Sequence, residues 1–300
     1  MTSACRFLLW AAAPLLGASF AVFLPACGDD ASGSDDDDTT STSGQGAGGP
    51  TTSQTSSSSS NPSSSSTEST TSTSMPTSTS GAGGCYATFD GVDDGLFATV
   101  GTEVGLTDGF SFGAFVNPDP LPDDGVAFVA GRHADGSSNG FYLAVTNTGG
   151  TYRARLNVFV NGTCSVEAEI PGPGSWQHIL GSFTTNEMHM FVNGQLAGTA
   201  ECGAPCIIDP SSVVTVGRSF VGYYPYAGSI DDVAYYAQAF SSNFDPATLG
   251  CGSGAALRYS FDAVTPGRAA TVAEHCGTSA DAQVGDAAGA DGSDPTFSCP

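Results

Sequence analysis

The feature that most constrains the fold is a series of short β-rich runs after residue 85, none of which carries a sustained 3.6-residue apolar period. The runs cover residues 110–116, 126–130, 141–146, 152–160, 164–170, 176–183, 188–192, 213–217, 230–236 and 257–261. Asn-Gly pairs at 161–162 and 193–194 lie beside such runs and supply the positive φ angles of tight hairpin turns. This pattern predicts an all-β, antiparallel sandwich or barrel, with one short helix over 241–249.

The N-terminal residues predict export and a lipid anchor. Arg6 precedes an apolar stretch over 7–24 that ends in Leu-Pro-Ala-Cys at 24–27. This ending resembles the bacterial lipobox, in which the chain is cut before the cysteine and the cysteine is acylated. We therefore expect a signal peptide over 1–26, a lipidated Cys27, and attachment to the cell envelope, at the outer membrane or cell surface. The alternative is ordinary secretion with a free Cys27.

A polar tether follows the predicted anchor. Ser and Thr occupy 24 of the 30 positions from 51 to 80. A segment of this composition cannot bury enough apolar surface to offset its chain entropy. We expect a disordered Ser/Thr/Asp-rich tether over 27–84, a β-sandwich over 85–250, and a C-terminal segment over 251–300.

Charge excludes some partners. The chain has a net charge of −23, from 30 acidic residues against seven arginines and no lysine. This balance argues against nucleic acid and against electrostatic binding to anionic lipid. It permits a divalent cation, because carboxylates are hard oxygen ligands.

Four segments occur in a recognisable order. They are Phe-Asp-Gly-Val-Asp-Asp at 89–94, Phe-Ser-Phe-Gly-Ala-Phe-Val at 110–116, the region from Trp-Gln-His to Phe-Val-Asn-Gly at 176–194, and Gly-Ser-Ile-Asp-Asp-Val-Ala-Tyr-Tyr at 228–236. Together they resemble the laminin G-like domains of the concanavalin A-like lectin/glucanase superfamily. The resemblance implies a jelly-roll sandwich of two curved antiparallel sheets. It does not imply one function, because this fold serves lectins, adhesion modules and hydrolases.

The sequence favours a protein without catalytic activity. Glycosidases of this superfamily typically carry a Glu-x-Asp-x-x-Glu strand, and the nearest string here is the pair Glu167 and Glu169, which we interpret as a solvent-facing strand edge. No His-Glu-x-x-His motif occurs. His178 is expected to be structural, and His133 to be an exposed loop residue.

A loop rich in tyrosine is the candidate ligand site. Tyr223 and Tyr224 precede the last of the four segments, and their rings can stack on the apolar faces of sugars or on protein partners. In the resembled family the ring at Tyr226 packs inward. The alternative is that all three rings pack on the loop backbone.

The resemblance also implies a Ca²⁺ site. In this topology the opening and closing strands are neighbours, which is expected to bring Asp90 and Asp93 near Asp231 or Asp232. The alternative is that these carboxylates cap turns and face water.

The C-terminal segment bears on the disulfides. Residues 256–262 and 294–297 resemble pieces that precede the opening strand in many relatives, so the segment is either a truncated second repeat or a fold-back. Folding back implies a Cys85–Cys299 disulfide. Cys251–Cys276 and Cys202–Cys206 are the next expected pairs, with Cys164 free; pairing of Cys164 with Cys202 or Cys206 stays open.

Together these observations predict a surface-displayed lipoprotein whose module binds carbohydrate or protein without catalysis, with Ca²⁺ as its expected cofactor. The alternatives are a divergent polysaccharide hydrolase and a structural envelope protein without a small ligand.

Overall fold

A computed structural model describes residues 84–100, 109–133, 140–159, 163–184, 186–202, 213–285 and 294–300. The expected signal peptide, Cys27, the tether, the 161–162 turn and Cys206 lie outside these residues, as does the side chain of His133. In this part of the chain no helix has the length and hydropathy needed to span a membrane.

Short strands make up most of the described chain, in agreement with the predicted pattern. They are β1 (Tyr86–Asp90), β2 (Leu96–Thr99), β3 (Gly109–Pro118), β4 (Val126–His133), β5 (Gly140–Thr148), β6 (Thr151–Phe159), β7 (Thr163–Glu169), β8 (Gln177–Thr184), β9 (Glu187–Val192), β10 (Gln195–Glu201), β11 (Val213–Val216), β12 (Ala227–Tyr236), β13 (Ala255–Tyr259), β14 (Thr271–Val272), β15 (Ala282–Val284) and β16 (Thr296–Ser298).

The helix predicted over 241–249 is wrong. Only a 3₁₀ turn forms there, Pro246–Thr248, and a second one follows at Cys251–Ser253. Asp245 is extended, with φ −94° and ψ 113°, because the residue before a proline is pushed out of the helical region. Phe244, just before it, packs on Phe191 at 5.2 Å between ring centroids, so this segment covers the outer face of a sheet.

Two eight-stranded antiparallel sheets form the sandwich. The first has the order β10-β9-β8-β3-β12-β1-β16, with β13 also paired to β12; the second has the order β14-β15-β2-β11-β4-β5-β6-β7. The core lies between them and is rich in aromatic rings, such as Phe110, which is 4.3 Å from Phe141 and 6.0 Å from Tyr235. The predicted two-sheet sandwich is therefore confirmed.

The C-terminal segment belongs to the sandwich. β16 pairs with β1, β13 pairs with β12, and β15 pairs with β2, so the segment supplies strands to both sheets. Disulfides join Cys85 to Cys299, the pair that folding back implied, and Cys251 to Cys276, one of the next expected pairs. This arrangement argues against a truncated second repeat, since a lone pair of strands could not bury its own apolar face.

The expected pairing of Cys202 with Cys206 is wrong, and so is the expectation that Cys164 is free. Cys164 of β7 is bonded to Cys202, which directly follows β10. These strands are the edges of opposite sheets, and they come so close that a Cβ on Gly198 would lie 2.2 Å from the carbonyl oxygen of Glu167. The two edges meet only in the folded protein, so sequence spacing could not reveal the pair.

Candidate functional site

Two loops meet at one end of the sandwich: the β1–β2 loop, residues 91–95, and the β11–β12 loop, residues 217–226. β1 pairs with β12 and β2 pairs with β11, so both loops leave neighbouring strands. A Cβ on Gly91 would lie 2.9 Å from that of Ala227, and one on Gly95 would lie 2.9 Å from Nε of Arg218. We call these two loops, together with Asp90, the rim.

The β1–β2 loop gathers three carboxylates. Oxygens of Asp90, Asp93 and Asp94 lie within 4.8 Å of one another. The buried Asp94 accepts a hydrogen bond from the backbone N–H of Asp90 at 2.6 Å, and Asp90 accepts one from the N–H of Val92 at 2.8 Å. These bonds hold the loop in a tight turn with its carboxylates converging.

The carboxylates are electrostatically coupled. Burial raises the pKa of Asp94 to about 6, and the charges of Asp90 and Asp93 add to the rise, against the Asp90 N–H and the positive charge of Arg268. Like charges held this close favour either a proton or a cation between them. Three convergent carboxylates are a donor set of the kind that Ca²⁺ takes in proteins. The residues therefore fit a divalent cation.

Asp231 and Asp232 do not join this cluster, so the expected convergence of all four residues is wrong. β1 and β12 are neighbours, as expected, but their register pairs Asp90 with Ala227 and Ala87 with Ile230. Asp231 therefore lies four residues, or about 13 Å, along the strand from the level of Asp90. Asp232 instead accepts hydrogen bonds from Nε and Nη2 of Arg258, at 3.0 and 2.6 Å.

The rim also exposes most of the apolar side chains that face solvent. Of the six large hydrophobic residues that are exposed in the described chain, five lie on these two loops; they are Val92, Phe220, Val221, Tyr223 and Tyr224. Tyr223 and Tyr224 are 66% and 52% exposed, with ring centroids 6.3 Å apart. Tyr226 is fully buried and packs against Phe89. The rim therefore places flat rings beside a carboxylate cluster.

Backbone hydrogen bonds fix the tyrosine loop to the sandwich. The N–H of Phe128 in β4 donates to the carbonyl of Tyr224 at 2.8 Å, and that of Tyr226 donates to Gly217 at 2.7 Å. The N–H of Tyr223 donates to the hydroxyl of Ser219 at 2.8 Å. These bonds fix the backbone of the loop from which the two exposed rings project.

The other residues considered from the sequence have structural surroundings. Glu167 and Glu169 form ion pairs with Arg155 and Arg153 across β6 and β7. His178 is buried, and burial lowers its pKa to about 3, so its ring stays neutral. Neither observation points to a catalytic base.

Sequence reasoning missed four members of the rim. Asp93 was proposed from the sequence as a metal ligand and Asp94 was not, although Asp94 is the nearer of the two to the buried start of β2. Val92, Phe220 and Val221 follow Gly91 or precede Gly222, and these glycines have φ of +78° and +79°. Apolar residues next to such turn positions are the signal that could have indicated exposed loop tips.

Comparison with known proteins bears on the fold. No curated protein sequence matches the chain. Among solved structures, a candidate carbohydrate-binding protein from Bacteroides ovatus aligns with a TM-score of 0.50 at 17% identity, over 72% of this chain and 60% of that one. A heptameric SAP-like pentraxin from Limulus polyphemus gives 0.43 at 16%, over 53% and 78%. The CBM40 of a Ruminococcus gnavus sialidase, bound to sialyllactose, gives 0.40 at 16%, over 51% and 92%.

The family assignment rests on a longer match than any one motif. Residues 89–243, just over half of the chain, match a laminin G family model. The matched stretch runs from the last residues of β1 to beyond β12, and so includes the whole rim. By this match the chain belongs to the concanavalin A-like lectin/glucanases superfamily.

Proposed function

We propose that the sandwich is a non-catalytic carbohydrate-binding module and that the rim is its binding site. The observation that carries the proposal is the concentration of exposed rings and aliphatic side chains beside Asp90, Asp93 and Asp94. Sugars offer apolar C–H faces to stack on rings and hydroxyls to bond with carboxylates or a bound cation. A surface that combines exposed rings with carboxylates can therefore contact both the apolar faces and the hydroxyls of a sugar.

Replacing Tyr223 with alanine is expected to weaken glycan binding about tenfold, which corresponds to about 1.4 kcal/mol. The exposed ring supplies stacking surface, and its loss leaves the loop backbone intact. Binding is measured on a glycan array and then by calorimetry with the glycans that bind. Tyr86→Ala is the matched control, since Tyr86 is a partly exposed tyrosine that packs on Trp176, away from the rim. Equal loss in both variants would contradict the proposal.

The hydrolase alternative is tested with the same ligands. The raised pKa of Asp94 is a property that a general acid needs, and Asp90 is the carboxylate beside it. We expect no release of reducing ends from the bound glycans, because Asp94 is only 4% exposed and already accepts a backbone hydrogen bond. Turnover that Asp94→Asn abolishes would make the protein a glycosidase.

We propose that Ca²⁺ binds to Asp90, Asp93 and Asp94 and stabilises the rim. A ligand that binds only the native state at 100 times its dissociation constant adds about 2.7 kcal/mol. For a domain of this size, the melting temperature should rise by roughly 5–10 °C in millimolar Ca²⁺ relative to chelator. Asp93→Asn should reduce the shift. Asp123→Asn, which removes the same charge from an exposed turn, should retain it. The absence of any shift, with no bound metal by elemental analysis, would contradict the site.

We also propose that the module is exported and held on the cell envelope by acyl chains on Cys27. The motif at 24–27 supports this, and the disulfides of the domain suit an exported protein. Cells fed a clickable fatty acid are expected to label the wild-type protein and not Cys27→Ala. Labelling of both proteins to the same extent would contradict the anchor.

A further inference from the structure

A histidine and two glutamates lie together on the outer face of the first sheet. Met188 and Met190 of β9 point into the core, so Glu187 and His189, which alternate with them, point outward. Antiparallel pairing puts Glu201 of β10 directly opposite Glu187, on the same face. Nε2 of His189 lies 3.3 Å from Oε1 of Glu187. We call Glu187, His189 and Glu201 the β9–β10 cluster.

The two glutamates of the cluster face each other at a close strand pair. The N–H of Cys202 donates to the carbonyl of Asn186 at 2.8 Å, which makes these two residues a hydrogen-bonded pair. The next pair, Glu187 and Glu201, is then a non-hydrogen-bonded pair, in which the Cα atoms are about 4.5 Å apart and the side chains are closer. Like charges directly opposite each other destabilise a sheet. A cation between the two carboxylates would remove this repulsion.

The histidine of the cluster has an unsatisfied ring nitrogen. His189 is only 5% exposed, and its Nδ1 has no hydrogen-bond partner within the described chain. Ser182 of β8 is its cross-strand partner, and the buried Ser182 hydroxyl also has no partner there. A metal on Nε2 fixes the proton on Nδ1, and metal-bound histidines almost always donate that proton to a nearby acceptor. Metal binding would therefore give both buried atoms a role, with the Ser182 hydroxyl as the acceptor.

The geometry and the donor set fit zinc. Two ligand atoms about 2.1 Å from a tetrahedral zinc ion lie about 3.4 Å apart, close to the 3.3 Å between His189 and Glu187. The three side chains do not yet all lie within 4.8 Å of one another, so the exposed Glu201 has to turn toward the other two. A surface cavity of about 410 Å³, which both glutamates border, leaves room for this movement. An imidazole ligand favours zinc, whereas Ca²⁺ takes six or more oxygens.

The cluster is remote from the rim. β12 begins at the rim beside the end of β3, the end of β3 pairs with the start of β8, and the start of β8 pairs with the end of β9. The start of β9, where Glu187 and His189 lie, is therefore at the opposite end of the sandwich. A metal there would be separate from the carboxylates of the rim.

We infer that the β9–β10 cluster is a zinc site, with His189, Glu187 and Glu201 as ligands. The two carboxylates balance the charge of the ion, and the neutral imidazole supplies the nitrogen. Three protein ligands leave the fourth position open toward the cavity, for water or for a donor atom of a further ligand. The site links β9 to the edge strand β10 and does not depend on the proposed glycan or Ca²⁺ binding.

The experiment titrates Zn²⁺ into the full-length protein by calorimetry, with millimolar Ca²⁺ present to occupy the rim carboxylates. Elemental analysis after dialysis gives the number of zinc ions bound. We expect one zinc ion per chain. Glu187→Gln and Glu201→Gln should each weaken zinc binding at least about tenfold, since even the loss of an outer-shell partner costs that much. His189→Gln should abolish it.

Controls separate the site from general charge effects. Glu169→Gln removes the same charge from another exposed strand position, and His275→Gln removes an exposed histidine outside the cluster; both should bind zinc as the wild type does. Melting temperatures check folding, and if the buried His189→Gln variant does not fold, the two exposed glutamate variants decide the matter. No zinc bound to the wild type, or binding that both glutamate variants retain at full strength, would overturn the inference.

Discussion

Replacing Cys85 and Cys299 together with serine is expected to lower the free energy of unfolding by about 5 kcal/mol. The disulfide closes a loop of 214 residues, so its removal releases nearly the whole domain in the unfolded state. It also frees the end of β16, which has only three residues and pairs with β1 next to the disulfide. Urea denaturation of the domain, with the other two disulfides intact, measures the loss.

The Cys251–Cys276 pair provides the matched control. It closes 25 residues, for which the same chain-entropy relation gives about 3.5 kcal/mol. We therefore expect the double serine variant at 85 and 299 to be the less stable of the two. The reverse order would mean that the C-terminal segment keeps its place without the disulfide. Non-reducing peptide mapping of the wild type checks the pairing itself.

Replacing Asp231 with asparagine is expected to stabilise the protein by several kcal/mol at pH 8.5 and much less at pH 4. Asp231 is 3% exposed, and burial, with the charge of Asp232 and then of Asp262, raises its pKa to about 8. The N–H of Asp232 donates to Asp231 at 2.7 Å, a bond that asparagine can still accept. The substitution therefore removes the ionisation and keeps the hydrogen bond.

The direction follows from proton binding. Between the ordinary carboxyl pKa of 3.8 and about 8, the folded state holds a proton at Asp231 that the unfolded state releases. Stability is therefore lost as pH rises through this window, by up to about 1.4 kcal/mol per pH unit. Urea denaturation from pH 4 to 8.5 should show a shallower decline in Asp231→Asn than in wild type. Asp123→Asn, at an exposed position, should follow the wild type; parallel curves for all three proteins would contradict the expectation.

The fold class could be predicted because its signals are local. Alternating apolar residues set the faces of strands such as β6, and the Asn193-Gly194 turn, with φ of +49° and +75°, joins β9 to β10. The Cys85–Cys299 pair was reached through the resemblance of two C-terminal segments to strands that relatives carry before the opening strand. Residue order along the chain was sufficient for these inferences.

Part of the candidate site was also visible in the sequence. Tyr223 and Tyr224 follow a glycine and precede a recognisable strand. Both are exposed, as is expected of loop residues that bind a ligand. Tyr142 gave no such signal. Its neighbours in sequence are apolar on both sides, so the sequence does not show that the Tyr142 ring faces outward or lies near Tyr224. Its position near Tyr224 depends on β4, which lies between β11 and β5 in the sheet.

The sequence by itself determined most of the strands, the tight turn at 193–194 and the loop that carries rings. The tertiary structure alone decided which distant side chains meet. Antiparallel register put Asp231 four residue positions from the partner of Asp90 and left Asp94 to complete the carboxylate cluster. The approach of two sheet edges joined Cys164 to Cys202. The physical reason is that strand propensity and turn geometry are short-range, whereas register and sheet packing are set by cooperative burial of the whole core.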